Sequence, residues 1–282
     1  MITVRHITKI DELGPIIFDQ TLEKDLNRYR SGSLYKGLNN EKWELTTSLY
    51  RNCGLKKREL ESTILRSFTK YASYEDPELK NSVWRQLIIG QHHGLPTRML
   101  DWTYSPLIGL HFATSVEPEK LGIRNAVLWK IDADELNAKL PDKYRRVLSQ
   151  DRAYMFTVEM LQKCTGSLTE YDLDMQDHAM VLMEPPSIDQ RIVNQYASFA
   201  IIPSQIEKPD GSRTIEQYLN DNTEKTVKYI IDKSLIWRIR DMLDQMNINE
   251  RIIYPGMDGL SQWIKRHYYV LPPNDDEEDH RL

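Results

Sequence analysis

The run Gln91-His92-His93-Gly94-Leu95-Pro96-Thr97-Arg98-Met99-Leu100-Asp101-Trp102-Thr103 decides how this chain is read. It gathers amide, imidazole, guanidinium, carboxylate, indole and hydroxyl side chains, and Gly94 and Pro96 bend the backbone in its middle. Apolar segments flank it, with Val83, Trp84, Leu87, Ile88 and Ile89 before and Pro106, Leu107, Ile108, Leu110 and Phe112 after. Polar residues held between two buried elements serve either a ligand site or a satisfied hydrogen-bond network that locks a crossover. Asp76-Pro77 reads as the N-cap and first-turn proline of a helix that Gly94 stops. Gln91, His92 and His93 then occupy its last turn, where the helix dipole favours a protonated imidazole. Adjacent histidines diverge by about 100° around a helix, which argues against a shared metal ion. Thr97 to Thr103 reads as a strand with Thr97, Met99, Asp101 and Thr103 on one face and Arg98, Leu100 and Trp102 on the other. Ser105-Pro106 caps and opens the next helix.

Working outward, Ile2 to Ile7 is expected as a strand and Tyr29-Arg30 as a short strand ending at Ser31. Trp43, Leu45, Leu49 and Tyr50 read as a strand or irregular apolar segment ending at Arg51. Lys56 to Tyr74 is a helix whose Leu60, Ile64, Leu65, Phe68 and Tyr71 form the core stripe, with Lys56-Lys57-Arg58 as a solvated face. Ala126 to Ile131 is a buried strand, and Asp132 with Glu135 starts a helix by capping-box spacing. Asp142 to Gln176 is charged and helical. Strands are expected at His178–Glu184, Phe199–Ile202 and Thr226–Ile231, and helices at Arg191–Gln195, Ser234–Met246 and Leu260–His267. Trp43, Trp84, Trp102 and Trp129 all lie in apolar segments and are expected in the core, with Trp102 also placed to wall a ligand ring. No repeat, linker or charge break divides residues 1–270, which read as one α+β domain with a helical insertion at about 133–176. Residues 271–282 read as an acidic disordered tail.

The 282 residues carry a formal net charge of −5, which argues against a protein that coats nucleic acid nonspecifically. Cys53 and Cys164 lack metal or redox spacing and fit a reducing compartment. The N-terminus has no signal-peptide core and no apolar run approaches the roughly 20 residues of a membrane span, so a cytoplasmic protein is expected. Neither Gly-rich phosphate loop, GxGxxG or GxxxxGK[ST], is present, and there is no GxSxG elbow.

The stretch from Gln91 to Pro106 resembles the central motif of the FRG-domain family, whose signature is similar to Gln-His-His/Tyr-Gly-x-Pro-Thr-Arg-x-Leu-Asp-Trp-Thr-x-x-Pro. Further family-like pieces are Tyr29-Arg30-Ser31-Gly32, Trp43-x-Leu45-x-x-Ser48-Leu49-x-Arg51, Arg191-Ile192-x-x-Gln195-x-x-x-Phe199 and Tyr254-Pro255-Gly256-Met257-Asp258-Gly259-Leu260. Two positions depart from the pattern. Ser31 stands where the family name, Phe/Tyr-Arg-Gly, expects glycine, and Gly109 replaces a frequent alanine.

The order of these pieces is similar to the plan of ADP-ribosyltransferases, in which a split mixed or antiparallel sheet flanked by helices grips NAD. That analogy implies NAD as substrate and no metal. Tyr29, Arg30, Arg98, Trp102 and Thr103 would hold it, the early arginine pairing with the pyrophosphate through two parallel hydrogen bonds. His92, Asp101, Glu184 and Gln195 are the implied catalytic set, a carboxylate being needed to stabilise the oxocarbenium ion as nicotinamide leaves. Gln195 stands where an acid is wanted, and Glu184 is the nearby carboxylate. FRG-like proteins also resemble components of bacterial toxin–antitoxin or phage-defence loci, which implies a toxin acting on protein or RNA with an antitoxin as partner. The alternative is a non-catalytic module that binds a nucleotide or phosphate through Arg30, Arg98 and His92.

Overall fold

The computed structural model describes residues 1–271, and the expected acidic tail from residue 272 onward lies outside the described residues. Nine strands form among the described residues: β1 Thr3–Ile7, β2 Thr21–Glu23, β3 Arg28–Arg30, β4 Ser33–Leu38, β5 Met99–Thr103, β6 Ala126–Asp132, β7 Val181–Met183, β8 Ala197–Ile201 and β9 Val227–Ile231. Seven of them build one mixed sheet in the order β1-β9-β6-β4-β5-β8-β7, flanked by helices. This is the α+β architecture expected of the sequence. β1 runs parallel to β9 and the remaining neighbours are antiparallel. β2 and β3 form a separate hairpin.

The sheet is nearly two sheets. β4 pairs with β6 along its whole length, yet it meets β5 only through Tyr35 and Thr103. Alternation along the strands sorts the side chains into three cores. On one face, Met99, Phe199, Ile201, Val181 and Met183 from the β5-β8-β7 half pack with the helices Val83–His92, Asp142–Asp151, Val158–Cys164 and Leu168–Met175. On the same face, Tyr35, Leu128, Tyr229 and Ile231 from the other half pack with the helices Pro106–Ala113 and Ile236–Gln245. The opposite face carries a single core, with Leu34, Leu100, Trp102, Trp129 and Ala200 under the helix Ile215–Asn222. β6 is buried on both faces, which is why its sequence reads as an almost continuous apolar run.

Local sequence rules place most boundaries. The Ser105 hydroxyl accepts from the Ile108 amide at the start of the Pro106–Ala113 helix, and an Asp132 oxygen accepts from the Glu135 amide at 3.0 Å. Gly94 takes φ +81°, the left-handed turn that ends the Val83–His92 helix. The Pro106–Ala113 helix lies against β4 at Gly37, where a Cβ would sit 2.1 Å from the Gly109 carbonyl oxygen and 2.2 Å from Ala113 N. Gly109 itself faces Tyr35 and Leu128, so glycine in place of the frequent alanine permits this close crossing.

Three expectations are corrected. Ser48–Cys53 is a helix, because the Thr47 hydroxyl accepts from the Tyr50 amide and caps it. In the helix Lys57–Ala72 the buried face is Lys57, Glu61 and Leu65, while Leu60 and Tyr71 are exposed. Buried charge is tolerable there because Lys57 pairs with Glu207, and Glu61 with Arg98. Trp43 is 51 % exposed, unlike Trp84, Trp102 and Trp129, which are core.

Trp84 is fully buried, donates its indole N–H to the Thr165 carbonyl at 2.8 Å and meets Tyr171 edge-on at 5.4 Å. Trp84→Ala is expected to cost about 3–5 kcal/mol of stability, measured by denaturant unfolding. A loss below about 1 kcal/mol would contradict this packing.

Candidate functional site

Where β4 and β5 part, the two half-cores leave a cavity of about 380 Å³ between them. Its walls come from β4 (Lys36, Gly37), the last turn of the Val83–His92 helix (Gln91, His92), β5 (Asp101), and the late residues Arg191, Gln195 and Tyr254. It adjoins a larger cavity of about 800 Å³, and His92, Ser115, Arg191 and Tyr254 line both. The result is a two-chambered cleft open to solvent along the split.

Inside it, Gln91 donates to Asp101 Oδ1 at 2.8 Å and accepts from the Thr97 hydroxyl, so the first and last thirds of the motif hold one another. The Asp101 carboxylate is exposed and keeps acceptor capacity beyond this bond. Lys36 crosses the split to donate to the Asp101 carbonyl oxygen at 3.1 Å. Burial pushes the Lys36 ammonium below the ordinary lysine value, and the Asp101 carboxylate opposes that shift. His92 Nε2 lies 2.6 Å from Asp189 Oδ2. Desolvation raises the Asp189 carboxyl, but the Ile192 amide and His92 more than offset this and leave it below the usual range. An imidazole oriented by a carboxylate is the arrangement that moves protons in general acid–base chemistry. Arg191 lies over the Tyr254 ring at 5.4 Å, and its guanidinium makes no ion pair with a carboxylate among the described residues.

The roof is held from below. Gln195 donates to the Ile253 carbonyl at 3.2 Å, and Asn194 to that of Ile252 at 2.6 Å. Glu250 takes three bonds from two buried arginines, Arg240 and Arg266, and Arg266 also pairs with Asp244 at 2.7 Å. Arg240 Nη1 reaches His111 Nδ1 at 3.0 Å. Burial, reinforced by Arg240, pushes His111 down to about 3, so the ring is neutral at physiological pH.

Of the residues singled out in the sequence, His92, Asp101 and Gln195 line one cavity. Arg30 and Tyr29 are exposed on the β2–β3 hairpin, which leads into the start of β4, whereas the cleft is lined from the far end of that strand, and Arg30 bonds to the Tyr29 carbonyl at 3.0 Å. Arg98 is 7 % exposed and bound to both Glu61 oxygens and to Asp172 at 2.7 Å. Burial disfavours its charge, but Glu61 and Asp172 hold it more firmly protonated than an ordinary arginine. The Thr103 hydroxyl is committed, donating to the Gln195 carbonyl at 2.8 Å and accepting from the Ser105 amide. Glu184 is exposed beside Tyr104 and does not line the cleft. Trp102 is among the residues lining the cavity, but at 4 % exposed it packs in the core of the opposite face. Arg191, Tyr254 and Lys36 were not anticipated as site residues. The first two were visible in the family-like Arg191-Ile192-x-x-Gln195 and Tyr254-Pro255-Gly256 pieces. Nothing in the sequence singled out Lys36.

Residues 31–121 match the family model of the FRG domain, and that stretch of the chain is an FRG domain. It spans β4 to the segment after the Pro106–Ala113 helix, and so contains Lys36, Gln91, His92 and Asp101. Tyr29, Arg30, Arg191, Gln195 and Tyr254 lie outside it. No curated protein and no solved structure matches the chain.

Two outcomes test this division between holding and reacting groups. Arg98→Ala leaves the buried Glu61 and half-buried Asp172 carboxylates without their cation and should cost about 3–5 kcal/mol in denaturant unfolding, whereas a ligand-only arginine would cost almost nothing. Glu250 is pulled down to about 2 from 4.5 because its two arginines outweigh its desolvation. A carboxylate so depressed contributes stability that is complete above about pH 4.5 and lost as pH falls towards 2. Glu250→Gln should therefore be less stable at neutral pH and show a flatter pH dependence across that window. Parallel parent and variant curves would rule out Glu250 as the group responsible.

Proposed function

We propose that the chain is an ADP-ribosyltransferase-like enzyme that takes NAD as substrate in the cleft along the sheet split. The observation that carries this reading is the co-location, in one cavity at the split of a mixed sheet, of a carboxylate with spare acceptor capacity (Asp101), a guanidinium without an ion-pair partner (Arg191) and a histidine oriented by an acid (His92–Asp189). Paired chambers of about 380 and 800 Å³ suit a two-lobed ligand, within the usual range of small-molecule sites.

In this reading the pyrophosphate-gripping role expected of Arg30 falls to Arg191, whose planar fork can present two parallel donors to an anion at the junction of the chambers. Tyr254 supports that guanidinium from below. NAD supplies the ADP-ribosyl group, nicotinamide departing with the bonding pair of the C1–N bond while the acceptor's nucleophilic atom replaces it. Asp101 faces the positive charge that develops at that carbon. His92, with Asp189 behind it, takes the acceptor's proton. Gln195 positions the roof through Ile253, and Lys36 neutralises the Asp101 surroundings. The setting implied by the FRG resemblance is that of a cytoplasmic bacterial toxin in a toxin–antitoxin or phage-defence locus.

One observation favours the second reading, a non-catalytic nucleotide-binding module: Gln195 occupies the late position where a transferase wants an acid, and its amide is spent on the Ile253 carbonyl. Labelled NAD incubated with purified chain and cell extract separates the two. Transfer of label to a macromolecule is expected. Arg191→Ala and Arg191→Lys should each weaken NAD binding about tenfold or more, since a charge-assisted hydrogen bond is worth about 1.5–3 kcal/mol. Their melting should be unchanged because the side chain is exposed. Asp101→Asn should slow transfer far more than it weakens binding. NAD binding without transfer would establish the module, and an Arg191→Ala protein with parental affinity would remove the arginine from the site.

A further inference from the structure

Beside the cleft, and sharing Asn39 and Trp43 with it, lies a third cavity of about 640 Å³. Trp43 is the common wall, half exposed although it sits in an apolar stretch of sequence. A large indole face left in water between two cavities is a stacking surface without a partner. A second observation is independent of it. Asn40 is 6 % exposed and lines the same cavity, and its Oδ1 accepts from the Lys42 amide at 3.1 Å, which fixes which way the carboxamide points. Its Nδ2 has no hydrogen-bond partner among the described residues and stays open to solvent, which leaves an oriented amide donor in the cavity wall. The outer wall carries Lys120 and Arg124, both exposed and neither paired with a carboxylate among the described residues. Glu117, the acid in this wall, is taken by Lys265 at 2.6 Å.

We infer that this cavity binds a base of single-stranded nucleic acid and is the acceptor site for the cleft, an inference that rests on the transferase reading for the word acceptor and on the cavity alone for the binding. The base stacks on Trp43, accepts a hydrogen bond from Asn40 Nδ2, and its flanking phosphates meet Lys120 and Arg124. Stacking of this kind requires a base free of a duplex. A neutral peptide would leave both cations without counter-charge. With a net charge of −5 on the chain, the grip is confined to this patch, so few phosphates are engaged. Trp43 then sets the distance from the bound base to Asp101 and His92, because it lines both cavities.

The test is fluorescence anisotropy with the full chain and no NAD, using short labelled single-stranded RNA and DNA oligonucleotides, the corresponding duplexes, and an acidic peptide. Single strands should bind, with duplexes and peptide much weaker. Trp43→Ala should weaken binding about tenfold or more, and Trp43→Phe should retain most of it, which separates lost stacking from lost folding. Lys120→Ala and Arg124→Ala should each lower affinity and reduce the salt slope by about one. Parental affinity in Trp43→Ala, preference for duplex or peptide, or no binding of any oligonucleotide overturns the inference. Oligonucleotide binding that needs Trp43 in a chain that never consumes NAD upholds this site while removing the transferase reading. Label from NAD appearing on protein alone, with no oligonucleotide bound, does the reverse.

Discussion

The Arg98 guanidinium, clamped between Glu61 and Asp172 and shut away from water, is the interaction that the rest of this fold depends on. Taking the Arg98 and Glu61 charges out of solvent costs several kcal/mol per ion, and the cost is offset only while the geometry is kept. The helix Lys57–Ala72, the helix Leu168–Met175 and the start of β5 therefore cannot move independently. Asp172 extends the tie by accepting from the Ser204 amide at 3.0 Å. Lys57, Glu207 and Thr47 carry it onward, since Glu207 accepts from the Thr47 amide at 2.8 Å and from its hydroxyl at 2.6 Å. Thr47 is also the cap of the Ser48–Cys53 helix. These buried polar contacts thus tie the helices Ser48–Cys53, Lys57–Ala72 and Leu168–Met175 to the start of β5.

A second network does the same for the roof. Arg240, Glu250, Arg266 and Asp244 join the helices Ile236–Gln245, Glu250–Ile253 and Met257–His267, and His111 links them to the helix that lies on β4. Between these two blocks β4 and β5 pair in the sheet only at Tyr35 and Thr103, and the single core of the opposite face joins the halves, so the cleft opens on one face alone. The division of labour among charges follows. Arg98, Arg240 and Arg266 are buried and each is ion-paired with a carboxylate, and they build the frame. Asp101, Arg191 and His92 keep unused donors, acceptors or a movable proton at the surface of the cleft, which is the condition for acting on a ligand.

The sequence by itself determined the periodic and punctuated elements. Ser105-Pro106, Asp132 with Glu135 and Gly94 set boundaries because capping and left-handed turns are decided within four residues of chain. The alternating strand Met99–Thr103 and the doubly buried β6 were legible for the same reason, and so was the clustering of polar groups between Gln91 and Thr103. Tertiary structure alone decided which of those polar groups face a ligand. Arg98 and Asp101 stand three residues apart, and no local rule distinguishes an arginine that will find two carboxylates from a carboxylate that will find water. Lys57 read as solvent-facing because charged residues usually are, and its burial and that of Glu61 rest on Glu207 and Arg98, distant in sequence. Arg191 and Tyr254 became neighbours only through the roof that Gln195 and Glu250 hold in place. Pairing energies between charges depend on distance in space, and distance in space is what the linear order of residues leaves open until the sheet and its helices close.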